Sequence, residues 1–98
     1  MPASFSFEAD LWLHPGVAGW TFVTLPISVA DDVLDVAPVS GGFGSIRVNV
    51  RLGVTAWSTS LFPDAASGSF VLPIKRSVRI AESVDVGDPV CIELSLAD

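Results

Sequence analysis

The stretch SIRVNVRL, residues 45–52, alternates apolar and polar side chains, with Ile46, Val48, Val50 and Leu52 on one side and Arg47, Asn49 and Arg51 on the other. Such alternation places the two sets on opposite faces of a strand, one buried and one in water. The pattern recurs at both ends of the chain. Phe5, Phe7, Ala9, Leu11 and Leu13 alternate with Ser6, Glu8, Asp10 and Trp12, and Val90, Ile92, Leu94 and Leu96 alternate with Cys91, Glu93 and Ser95. A chain carrying this many half-buried strands must gain a second layer or curl on itself to cover its apolar faces.

The punctuation between strands is equally readable. HPGVAG at 14–19 is a turn by its proline and glycines, and WTFVTL at 20–25 returns as the second arm of a hairpin. Pro26 ends that arm because proline cannot donate to a ladder. ISVADDVLDVA then reads as a helix of two to three turns, with Ser28 as its cap, Asp31 three residues on, and Val29, Val33 and Val36 at helical spacing. PVSGGFG at 38–44 is a loop. Gly53 turns the chain into TAWSTSLF, PDAASG turns it again into SFVLP, and a second helix is predicted from about Ile74 to Ser83 before the last strand. Six strands and two short helices result.

Leu25-Pro26-Ile27 aligns with Leu72-Pro73-Ile74 at an offset of 47, Phe22-Val23 with Phe70-Val71 at 48, and Val33 falls on Ile80. These matches, with the same order of elements on both sides, predict an internal repeat of halves at about 5–52 and 55–96. Two β-rich halves of this kind are expected to form one domain over 1–98, a small closed six-stranded barrel around a pseudo-twofold axis.

Composition narrows the function. Only 16% of the residues are charged, against about 25% in an ordinary domain, so disorder is not expected. A net charge of -6 repels phosphate backbones and excludes nucleic acid as a partner. No run approaches the ~18 apolar residues of a membrane helix, and the first residues are acidic where a signal peptide is basic. A cytoplasmic location is expected, and the single cysteine agrees with a reducing compartment.

One histidine and one cysteine are too few for a metal site, so neither a metal nor a cofactor is expected. His14 is the only base for a nucleophile and lies in a turn; Cys91 sits beside Glu93; Glu8 and Asp10 read as solubilising charges on a strand face. GGFGS at 41–45 leads into a strand, unlike a phosphate loop, which leads into a helix. No catalytic residue emerges, and a non-enzymatic role is expected.

The basic residues are the exception. Lys75, Arg76 and Arg79 are three of only five in the chain, and Lys75 and Arg79 share a helix face. Two cations in a first helical turn oppose the helix dipole at about 0.3–1 kcal/mol each, where the first helix has Asp31 and Asp32. Salt bridges or a bound anion would offset that. Arg47 and Arg51 share a strand face, and Trp57 alternates with Thr55 and Thr59 on a mixed face where it could stack on a ligand. Arg47, Arg51, Trp57, Lys75, Arg76 and Arg79 are therefore the candidates for binding a small anionic ligand or an acidic protein segment. The alternative is self-association, as a homodimer pairing acidic and basic helices, with a monomer equally open.

GWTFVTLP, GGFGSIRV, TSLFP, FVLPIKRSVR and VGDPV, in that order, resemble the family of uncharacterised bacterial domains called domain of unknown function DUF1905, over about residues 5–96. The resemblance implies a double-split β-barrel with short helices. Some relatives carry this domain beside a YdeI or OmpD-associated domain linked to bacteriocin protection. The family has no agreed catalytic residues, so the resemblance assigns none here.

Overall fold

A computed structural model describes residues 4–16, 19–37 and 44–97. Strand β1 covers Ser4–Asp10, β2 Trp12–Leu13, β3 Thr21–Thr24, β4 Ile46–Leu52, β5 Thr55–Asp64, β6 Ser69–Pro73 and β7 Pro89–Leu96. Helix α1, Ile27–Val36, follows β3, and α2, Arg76–Glu82, follows β6. Every described strand pairing is antiparallel, in the order β1-β7-β4-β5-β6-β3-β2, and the sheet curls into a half-barrel. No described helix is long and apolar enough to cross a membrane.

Among the described residues, seven strands stand where six were expected because the first is interrupted at Leu11. There the backbone leaves the ladder with β7: Leu11 N–H donates to the Asp88 carbonyl and its own carbonyl accepts from Gly87, both in the loop before β7. The side chain is buried in the core. β5 changes partner without a break, its residues to Leu61 pairing with β4 and Phe62–Asp64 with β6. The turn PDAASG accordingly shortens, since Pro63 and Asp64 belong to the strand.

The inner face is as the alternation predicts for β4 and β7: Val48, Val50, Leu52, Val90, Ile92 and Leu94 are buried. They share a core with Leu11, Val23, Leu25, Leu61 and Leu72, among others. Leu13 departs from the pattern and is half exposed, because past Leu11 the chain has left β7 and pairs with β3.

Both helices start elsewhere than the sequence suggests. Pro26, not Ser28, is the N-cap of α1, where its fixed φ and missing N–H carry no cost. Ala30 and Val33 face the core while Val36 is half exposed; Asp31 and Asp32 lie mid-helix, beyond the first turn. α2 begins later than Ile74, with Lys75 as its N-cap, and ends at Ser83 in the left-handed region.

The Leu-Pro-Ile matches therefore occupy different positions. Pro26 caps a helix, whereas Pro73 is the last residue of β6 and pairs with Phe22. Likewise Val33 is buried and Ile80 is 66% exposed. Backbone bonding instead equates Leu25 with Ile74: Leu25 N–H donates to the Phe70 carbonyl at 3.0 Å and Ile74 N–H to the Thr21 carbonyl at 2.9 Å. The glycine-rich stretch 38–43 lies outside the described residues.

Candidate functional site

The six expected binding residues divide among separate places. Arg47 and Arg51 are exposed on the outer face of β4, as predicted. Arg51 stands opposite Glu93 of β7 and Ala56 of β5, and Arg47 opposite Ser60. Glu8 and Asp10 are on β1 with β7 intervening, so the acidic residue across from Arg51 is Glu93. A shallow hollow on this face is shared by Arg51, Glu8 and Glu93, where two carboxylates flank one guanidinium. Those surroundings disfavour an anionic ligand.

Trp57 is not with the arginines. It stands opposite Val50, and residues directly opposite share a sheet face, so its indole lies on the inner side and packs against the core. The mixed face expected from Thr55 and Thr59 is an inward face that also carries buried Leu61.

On α2 the three cations differ. Lys75 at the N-cap and Arg76 at the first helical position are exposed. Only Arg76 lies in the unfavourable first turn. Arg79 is in the last turn, where the helix dipole favours a cation, and it is committed to the backbone. Its Nε donates to the Ile74 carbonyl at 3.2 Å and its Nη2 to the Gly19 carbonyl at 3.4 Å. Arg76 and Arg79 line a hollow of about 350 Å³ with Ile80 and Asp85, while Lys75 lines another. The strand arginines reach neither of these hollows.

The hollow at Lys75, about 220 Å³, introduces two residues absent from the sequence-based candidates, Trp20 and Thr21. Trp20 is 53% exposed, with its ring centroid 5.8 Å from that of Phe22. The Phe22 ring also lies 5.3 Å from that of Trp12, whose Nε1–H donates to Thr24 Oγ1 at 2.9 Å. Thr21 is buried, and its hydroxyl has no hydrogen-bond partner among the described residues. A signal for Thr21 is present in the chain: it is in phase with Val23 and Leu25, so a polar residue occupies a core-facing register position.

Two expected non-sites have structural roles or none. His14 Nδ1 accepts from the Gly16 N–H at 3.0 Å, inside its own turn. Cys91 is exposed on β7. Among the described residues, no group of three or more His, Cys, Asp or Glu is placed to hold a metal ion.

These features define a small antiparallel β domain of the half-barrel type, whose basic side chains sit at one strand-to-helix corner and along the outer face of one inner strand. The chain belongs to the family described as domain of unknown function (DUF1905), which it matches over residues 7–94. No curated protein matches the chain.

Proposed function

We propose that this chain is a non-enzymatic, cytoplasmic binding module that recognises an anionic ligand or an acidic protein segment through the basic corner of α2. The observation that carries this reading is local. Three of the five basic residues fall within 75–79, and Lys75 and Arg76 project into solvent from a chain whose net charge is -6. Attraction of a diffusing anion to such a patch is a long-range, salt-sensitive effect. Arg47, Arg51 and Trp57 drop out of the reading, the first two for their acidic neighbours and the third for its inward face.

Arg79 is a poor site for testing the idea, because its removal also takes two backbone bonds. The Lys75→Ala/Arg76→Ala variant is the cleaner test. An acidic peptide titrated into the wild-type chain, followed by amide NMR shifts, is expected to give saturable changes on α2 that weaken with salt and vanish in the double variant. Its thermal stability should stay within about 0.5 kcal/mol of the parent, as for other exposed substitutions. Equal binding by wild type and variant rejects the reading, and no binding by wild type rejects its acidic-segment form.

A second reading is self-association. α1 exposes Leu34 (54%) beside Asp31 and Asp35, and α2 exposes Ile80 beside Arg76, so the helices of two copies are complementary in charge and apolar surface. Light scattering that finds a monomer at both low and high salt dismisses it.

The scaffold of such a module is a closed barrel with pseudo-twofold halves. Its support is the pairing pattern, in which β1–β7 is matched by β5–β4 and β2–β3 by β5–β6, while the two ends of the strand order, β1 and β2, are successive in the chain.

A further inference from the structure

Thr21 is only 3% exposed, and a buried hydroxyl without a partner is uncommon in a folded protein because nothing replaces the water it has lost. Ser69, the other buried polar side chain among the described residues, is satisfied: its Oγ donates to the Leu25 carbonyl at 2.8 Å. At the Thr21 corner the Ile74 carbonyl accepts instead from Arg79. Arg79 thereby ties together Ile74 and Gly19, two walls of the 220 Å³ hollow, and leaves the hydroxyl beneath its surface unmatched.

The remaining walls specify what such a hollow can take. Trp20 and Pro73 offer apolar surface, including a half-exposed indole on which a flat ring can stack. An apolar cavity of about 150 Å³ accommodates a benzene ring, so 220 Å³ holds a ring and a short substituent but no folded peptide segment. Lys75 supplies one positive charge. A single ammonium and a single hydroxyl suit the two oxygens of a carboxylate; a phosphate usually draws on more donors, Arg forks above all.

We propose that this hollow binds a small planar aromatic carboxylate. The ring lies against Trp20 and Pro73, one carboxylate oxygen meets the Lys75 ammonium, and the other accepts from Thr21 Oγ1–H. Because the hydroxyl itself is buried, reaching it requires a local shift of the hollow's lining. The inference rests on the anion-binding reading above and narrows it to one site and one ligand class.

The test titrates the full chain with indole-3-acetate, with its neutral amide, and separately with an acidic peptide, each followed by amide NMR. Saturable shifts at Gly19, Thr21, Ile74 and Lys75 are expected for the acid, with binding of the amide weaker by about tenfold, as loss of a charge-assisted bond implies. Trp20→Ala, Lys75→Ala and Thr21→Val should each weaken the acid by about fivefold or more. Thr21→Val should do so while raising thermal stability, which separates lost binding from a damaged fold. Absence of shifts at these residues, equal binding of acid and amide, or indifference to Thr21→Val overturns the proposal. If the acidic peptide still binds α2 while indole-3-acetate does not bind, the module reading survives and only the hollow fails. Binding by neither probe removes both.

Discussion

Replacing Thr21 by valine isolates one buried hydroxyl. The two side chains share shape and β-branching, so the core register of β3 and the bond from Ile74 N–H to the Thr21 carbonyl are kept. What changes is the Oγ1, buried in a residue 3% exposed and without a partner. Leaving such a group unmatched costs about 1–3 kcal/mol, while a methyl in its place gains burial at about 0.8 kcal/mol per carbon. A net stabilisation of about 2–4 kcal/mol is expected. For a domain of 60–100 residues each kcal/mol moves Tm by roughly 4–8 °C, so the shift should fall at about 8–32 °C. Urea denaturation should show a higher midpoint with an unchanged slope, because the same surface is exposed on unfolding. Ser69→Ala is the internal control: it deletes a satisfied hydroxyl and should destabilise by about 0.5–1.5 kcal/mol. A neutral or destabilising Thr21→Val would refute the reasoning, since it would mean that the hydroxyl is already satisfied in solution.

Two further substitutions test how the scaffold is held. Gly53 has φ 61°, and a Cβ there would run into the carboxylate of Glu82, which accepts from Thr55 Oγ1 at 2.6 Å. Gly53→Ala should therefore cost about 1–3 kcal/mol, by left-handed strain and by loss of the Thr55 bond. Adding Glu82→Ala to it should cost less than the sum of the single changes in urea denaturation. Leu11→Ala removes a side chain 1% exposed at the break between β1 and β2, with an expected loss of about 2–5 kcal/mol in the same assay.

Where one physical rule decides, the chain is legible from its residues. The alternation in 45–52 puts Arg47 and Arg51 outward and Val48, Val50 and Leu52 inward, and the strand does the same. Trp57 is misleading because its strand neighbours in phase, Thr55 and Thr59, are polar; the deciding residue is Leu61, also in phase and wholly buried. The start of the second helix is obscured because Leu72-Pro73-Ile74 reads like Leu25-Pro26-Ile27, although one proline ends a strand and the other caps a helix. Local sequence cannot separate those two roles, since proline suits both. Trp20 and Arg79 are beyond reach for another reason. The exposure of one and the carbonyl partners of the other depend on Gly19 and Ile74, from opposite halves of the chain, being brought together at a single corner.

The two strand-to-helix corners show why the candidate site sits at one of them. Leu25 and Ile74 are equally buried, and each donates its N–H to a carbonyl of the other hairpin's strand, Phe70 or Thr21. The backbone problem is thus solved the same way twice, and that solution requires neither a cation nor a free hydroxyl. At the first corner the next residue is Pro26, which has no donor, and Ser69 satisfies the Leu25 carbonyl. At the second the next residue is Lys75, Arg79 takes the Ile74 carbonyl, and Thr21 is left over beside an exposed indole. Because the first corner holds without a lysine at its cap or an unmatched hydroxyl, Lys75 and the Thr21 hydroxyl are excess to folding, whereas Arg79 does for the Ile74 carbonyl what Ser69 does for that of Leu25. An unmatched donor and an exposed cation at the helix N-cap each cost stability in isolation, and both costs fall when an anion binds them. A ligand that removes both at once should stabilise this corner and leave the other unchanged, so hydrogen exchange with indole-3-acetate should slow at Ile74 and not at Leu25. Equal slowing at both amides would place the effect in the fold as a whole and not in the hollow.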